Sequence, residues 1–284
     1  MLKLSEKYFK SKRASRGSLV IINLVPNPRS FLQRKILEAI NEDKKHALGV
    51  MVKDGRLKHL NASAWGVTDK ALSYLLLLLV MDDLDVALKQ WRGLPTWNPL
   101  AQTVIVFMDP IRDVKTKDES VRHVLEKLLN YGIINANVVY QLKDNSERMV
   151  SESWFPYLNA SCAKIVENIY EIDECISTET VDKETNKTIR NNTVFSMNEN
   201  LFPKVPSRFH GCPMHVSAFI WEPFVVSTGN DSEVGLAGIE ILMLKSITSQ
   251  MELKIKYKFL DDKLLAERIS ADNQTGIYAD LLQE

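Results

Sequence analysis

The residues whose types and spacing could do chemistry cluster between Phe209 and His215. Cys212 and His215 stand at metal-ligand spacing with His210 close by, so one ion could be shared among them. A second ligand pair is missing, and a Cys-Pro start to a strand at Cys212-Pro213 explains the same residues structurally. His210 and Cys212 also lie on one side of an extended segment, as a base and a thiol nucleophile would, but nothing nearby supplies an oxyanion hole. Asp261 and Asp262 sit in a turn and read as solvated carboxylates. The chain contains no GxSxG elbow, no GxxxxGK[ST] loop, no GxGxxG after a strand and no HExxH. These absences argue against hydrolase, P-loop and dinucleotide chemistry, and the expectation is a protein that is not an enzyme and needs neither metal nor cofactor.

The stretch that holds the candidate residues is itself organised. Met214, Val216, Ala218 and Ile220 alternate as a half-buried strand does, and Pro223 in Glu222-Pro223-Phe224-Val225 marks a bend after it. A helix is predicted over Leu236 to Ile247 with Ile239, Leu242, Met243 and Ile247 on one face. Leu253, Ile255, Tyr257 and Phe259 then alternate with Lys254, Lys256 and Lys258, which predicts a strand with one solvated face. After the Asp261-Asp262 turn, Thr275-Gly276 leads into a short helix from Ile277 to Leu282.

Upstream, the pattern is a repeated strand and helix. Ser18 to Val25 reads as a strand ended by Pro26-Asn27-Pro28, and Ser30 caps a helix with Leu32, Ile36, Leu37 and Ile40 on its apolar face. Ala47 to Val52 is a second strand, closed by Asp54-Gly55. Tyr74 to Met81 reads as a fully buried strand, followed by a helix with Asp82, Asp83 and Asp85 in its first turn and the stripe Leu84, Ala87, Leu88 and Trp91. Thr103 to Met108 is the next strand. A helix capped near Asp118 carries Val121, Val124, Leu125, Leu128 and Leu129 and ends at Gly132. Val138 to Leu142 closes the unit. Such β-α-β repetition implies a parallel sheet with right-handed helical crossovers. From Arg148 to Arg208 the periodicity weakens, with an aromatic turn at Trp154-Phe155-Pro156-Tyr157 and a polar, exposed excursion over 176–200.

The expected fold class is therefore α/β. A basic, disordered N-terminus spans 1–17, carrying Lys3, Lys7, Lys10, Lys12, Arg13 and Arg16. A parallel-sheet amino-terminal domain spans 18–205, and a second α/β lobe, incomplete as written, spans 206–284. Lys and Arg total 36 against 36 for Asp and Glu, so the charge balance gives no reason to expect nucleic acid as a partner. No window reaches the roughly 18 apolar residues that a membrane span needs. Three cysteines, Cys162, Cys175 and Cys212, allow one bridge and a spare thiol. The N-x-S/T sequons at Asn61, Asn159, Asn186, Asn191, Asn230 and Asn273 favour an extracytoplasmic chain.

Several stretches, in order, resemble the arthropod ionotropic receptors, chemosensory relatives of the ionotropic glutamate receptors. They are YLLLLLV and its helix with an acidic start, WNPLAQTVIVFMD at 97–109, WFPYLNASC at 154–162, FPKVPSRFHGCP at 202–213, AFIWEPFVV at 218–226 and GLAGIEILMLKSI at 235–247. What the resemblance implies is the extracellular portion of a ligand-gated cation channel at the cell membrane. Residues 206–284 would be the first part of lobe one of a periplasmic-binding-protein-like clamshell, whose closure on a small molecule pulls a pore open. Other receptor subunits would be its partners, and the membrane would be met only through segments outside this chain. By the same resemblance Glu222, Pro223 and Phe224 face the ligand cleft. Leu264 falls where glutamate receptors place an aromatic residue beneath the ligand, which argues against glutamate itself. Joining Cys162 to Cys212 would pin the two domains together across about 50 residues, with Cys162–Cys175 as the rival pairing. The alternative function is a secreted or surface small-molecule binding module without a channel. A third class, a cytosolic enzyme with an unrecognised site, would be marked by unglycosylated sequons and turnover.

Overall fold

The computed structural model describes residues 18–24, 38, 49–54, 70–79, 83–94, 96–111, 114–142, 148–158, 161–181, 188–195, 202, 204–228 and 235–259. The predicted N-terminal tail, the helix over Leu32 to Ile40 apart from Glu38, and everything from Leu260 onward, including Asp261, Asp262 and Leu264, lie outside them. The chain divides into two compact units. The first takes Met1–Pro156 and Ala163–Val205, and the second takes Tyr157–Cys162 and Pro206–Glu284. Segment 157–162, counted in the amino-terminal domain on the sequence pattern, thus belongs to the second unit.

In the first unit, β1 (Ser18–Asn23), β2 (Gly49–Asp54), β3 (Ser73–Leu78), β4 (Gln102–Phe107) and β5 (Ala136–Gln141) run parallel in the order β2-β1-β3-β4-β5. This is a doubly wound order with its switch point between β1 and β3. Leu75, Leu76, Leu77 and Leu78 are buried on both sides of the sheet, which is why β3 is a continuous apolar run with no alternation. Helices α1 (Asp83–Arg92) and α2 (Val114–Asn130) follow β3 and β4. Their stripes Leu84, Ala87, Leu88, Trp91 and Val121, Val124, Leu125, Leu128 pack with Val20, Ile22, Tyr74, Leu76, Ile105 and Val138 in one core. Asp118 is not the cap of α2, which begins four residues earlier at Val114. The helix stops as predicted around Gly132, whose φ of +73° lets its amide reach Leu129 O at 2.8 Å while Ile133 N reaches Leu128 O at 2.9 Å.

The sheet does not close at β5. It continues antiparallel through β6 (Met149–Ser153), β7 (Tyr170–Val181) and β8 (Thr188–Phe195). The predicted excursion over 176–200 is therefore a hairpin for much of its length. Thr, Ile and Val supply its β propensity, and the polar residues among them conceal the pattern. β6 was hidden for a related reason, since Glu152 occupies a core-facing position. Its side chain is 5% exposed, and its carboxylate is held by Lys117 Nζ at 2.8 Å. Burial alone would lower Lys117, but hydrogen bonds to Glu152 and Asp118 prevail and hold it above its ordinary value. Burial first, and the nearby Glu152 charge second, push the Tyr140 phenol up.

Near its end the first unit buries a lysine. The main-chain amide of Lys204 donates to Asn135 Oδ1 at 2.9 Å, and its Nζ donates to Ala136 O and Ser153 Oγ. The Phe155 and Phe202 rings each lie 6.0 Å from Nζ. Burial pushes this amine well below its ordinary value.

Candidate ligand-binding site in the second unit

The second unit is built around a β-α-β crossover. β9 (Pro213–Ala218) and β12 (Lys254–Phe259) pair in parallel, register Ile255↔Met214 and Tyr257↔Val216, and α3 (Ile239–Gln250) connects them. The period-two pattern of β12 holds: Lys254, Lys256 and Lys258 are exposed, whereas Ile255 and Tyr257 are half-buried. A short antiparallel pair, β10 (Val226–Ser227) and β11 (Leu236–Ala237), lies between β9 and α3. The core is small, formed by Ala218, Val225, Leu236 and Ile241 with Tyr257 against it.

The predicted face of α3 is not the one that packs. Ile241 and Thr248 are buried, while Ile239, Leu242, Met243 and Ile247 are all more than half exposed. The helix is apolar on several sides, so periodicity alone could not choose among them. Thr248 is tolerated inside because its Oγ1 donates to Leu244 O at 2.8 Å.

Between β9 and β10 the chain turns over Trp221 to Val225. Phe224 N donates to Trp221 O at 2.8 Å, Trp221 N and Val225 O close the far side at 3.0 Å, and the Glu222–Pro223 peptide is cis. The turn brings three rings together: Phe219 stacks on Trp221 at 5.9 Å and 28°, and Trp221 meets Phe224 at 5.9 Å and 69°. Glu222, Pro223 and Phe224, the cleft candidates, are all exposed here. The turn is tied to the helix, because Glu240 N donates to Phe224 O at 3.1 Å. Gly238 makes that approach possible. Its φ is +109°, and a Cβ placed on it would stand 2.2 Å from Phe224 O.

The base of the unit is covalently closed. Cys162 and Cys212 form a disulfide with Cα atoms 5.4 Å apart, so the pairing of Cys162 with Cys175 is not the one made. It follows that Cys212 offers no free thiol, and both the metal and the nucleophile arrangements around it fall away. His210 instead meets Glu252 Oε2 through Nδ1 at 3.1 Å, beside Arg208 at 3.3 Å from Oε1. Among the described residues no group of three His, Cys, Asp or Glu is placed to hold a metal. Tyr157 packs edge-on to Phe209 with centroids 4.8 Å apart, anchoring segment 157–162 in this unit. Of the six sequons, only Asn191 is described, within β8 where the ladder with β7 shifts register.

Sequence reasoning singled out Glu222, Pro223 and Phe224 but missed Phe219, Trp221 and Gly238. The aromatic spacing i, i+2, i+5 around the proline was the available signal for the rings, whereas the need for Gly238 arises from a contact 14 residues away in the chain. Comparison of the chain with protein-family models and with curated proteins finds no match. Among the described residues no helix is long and apolar enough to cross a membrane.

Proposed function

We propose that this chain is the extracellular, ligand-recognising part of a chemosensory ligand-gated cation channel of the ionotropic receptor kind. The second unit is the beginning of lobe one of its small-molecule clamp. One observation carries the reading. The two stretches 218–226 and 235–247, separated by a polar loop, meet in a single corner where Phe224 O accepts from Glu240 N, with Glu222 exposed beside it. A separate core after residue 206 and a β-α-β crossover of parallel strands support the same reading. The Cys162–Cys212 bridge suits an oxidising, extracellular setting. Ligand would close the clamp by binding its closed state more tightly than its open one.

Translation of the transcript beyond the Glu284 codon tests this: three hydrophobic spans and a second lobe are expected. A stop codon there removes the channel and leaves the second reading, a secreted or surface binding module of periplasmic-binding-protein type, which the disulfide and the sequons favour equally.

A further inference from the structure

We infer that the aromatic corner of the second unit, Phe219, Trp221 and Phe224 with Glu222 among them, is a recognition shelf for a small organic cation. The inference rests on the reading of Glu222, Pro223 and Phe224 as ligand-facing and adds the chemical class of the ligand.

Exposed aromatic side chains in a cluster require a reason, because burial of such rings is worth more than that of almost any other side chain. Trp91 and Trp154 of the first unit are 1% and 2% exposed, whereas Trp221 is 62% and Phe224 is 40% exposed. The turn holds these rings together: its ends are Trp221 and Phe224, and Phe219 stacks on Trp221 from the strand side. Ring faces of this kind attract alkylammonium groups through the aromatic quadrupole, best of all over tryptophan.

Charge selects the cation over a neutral apolar guest. Glu222 is exposed within the turn, and Glu240, whose amide is bonded to Phe224 O, adds a second exposed carboxylate in the first turn of α3. Among the described residues of this unit, no hydrogen bond or ion pair joins a lysine, arginine or histidine side chain to Glu222 or Glu240. Lys254, Lys256 and Lys258 alternate away from the core side of β12, Lys245 lies 3.5 Å from Leu236 O, and Arg208 and His210 are engaged with Glu252. The exposed stripe Ile239, Leu242, Met243 and Ile247 carries no charge and selects no particular occupant, so it is not part of the shelf.

The experiment uses the full chain with choline and its neutral isostere 3,3-dimethyl-1-butanol, read by the tryptophan indole N–H resonances. The resonance absent from Trp221→Phe identifies Trp221. Choline is expected to shift it saturably in the millimolar range while the neutral isostere does not. Glu222→Gln, at an exposed position that leaves the fold intact, is expected to weaken choline about threefold, in line with a surface charge pair. Equal shifts by both compounds, no shift by either, or an unchanged affinity in Glu222→Gln would each overturn the inference. None of those results touches the proposed channel, which the transcript tests separately.

Discussion

Substitution of Gly238 by alanine should unfold the second unit locally while sparing the first. Two costs add. Gly238 has φ +109° and ψ 171°, a region essentially restricted to glycine, and placing a side chain there costs about 1–3 kcal/mol. The added Cβ would also lie 2.2 Å from Phe224 O and 2.7 Å from Phe224 C. Relief requires the turn to retreat by about 1 Å, which breaks the 3.1 Å bond from Glu240 N, a further loss of about 1 kcal/mol. A total of about 2–4 kcal/mol is severe for a unit whose described core is four buried side chains and one half-buried tyrosine. Hydrogen exchange read by mass spectrometry is the assay. Amides of the 221–225 turn and the first turn of α3 should exchange about thirtyfold to a thousandfold faster, since each 1.4 kcal/mol is a factor of ten. Strands β3 to β5 should keep their protection. Gly93→Ala is the control: its Cβ would meet Gln90 O at 3.4 Å, an ordinary contact, so its exchange pattern should be unchanged. Equal protection in Gly238→Ala and wild type would refute the reasoning that the turn and helix are locked by that close approach.

Three further outcomes are expected. Cys162→Ser or Cys212→Ser opens a loop of 50 residues and should cost about 4 kcal/mol of stability in the chain-entropy account, seen as a lower denaturant midpoint; the same midpoint with and without reductant in the wild type would refute it. Lys117→Met strands the buried Glu152 carboxylate and should destabilise the first unit by about 3 kcal/mol in urea unfolding, whereas Lys117→Met with Glu152→Gln should recover much of that loss. Lys204 is lowered in the folded state, so between that value and its ordinary 10.5 the unfolded chain binds more protons, and its contribution to stability is present at alkaline pH and lost as pH falls through the folded value. Lys204→Met should flatten this rise of stability with pH and cost little near neutrality, because Ser153 Oγ still donates to Ala136 O at 2.6 Å; a midpoint that climbs with pH as steeply as the wild type would count against it.

What could be seen in the sequence was what repeats. The stripes of α1 and α2 and the run of leucines in β3 declare themselves because each is set by burial alone, and their boundaries fall within a few residues of those observed. β6 escaped notice because a buried ion pair replaces an apolar side chain there, and a partner 35 residues away is invisible to periodicity. The β7–β8 hairpin escaped because its threonines and asparagines read as loop composition. On α3 the error was one of choice: with apolar residues on several sides, the strands decided which would be covered. At the candidate site, the proline turn was legible and its glycine lock was not, since a demand for φ of +109° is made by the neighbouring carbonyl and leaves no pattern.

The return of the chain to the first unit between residues 163 and 205 sets a timing problem during synthesis. Cys175 leaves the ribosome 13 residues after Cys162, and Cys212 follows only 37 residues later still. At ordinary elongation rates that is an interval of about 2–7 s in which, of these three cysteines, Cys162 can meet only Cys175. In an oxidising compartment, a nascent chain that pairs those two must exchange thiols before the bridge seen here can form. Replacing Cys175 by serine would therefore shorten maturation in such a compartment without altering the finished Cys162–Cys212 bridge.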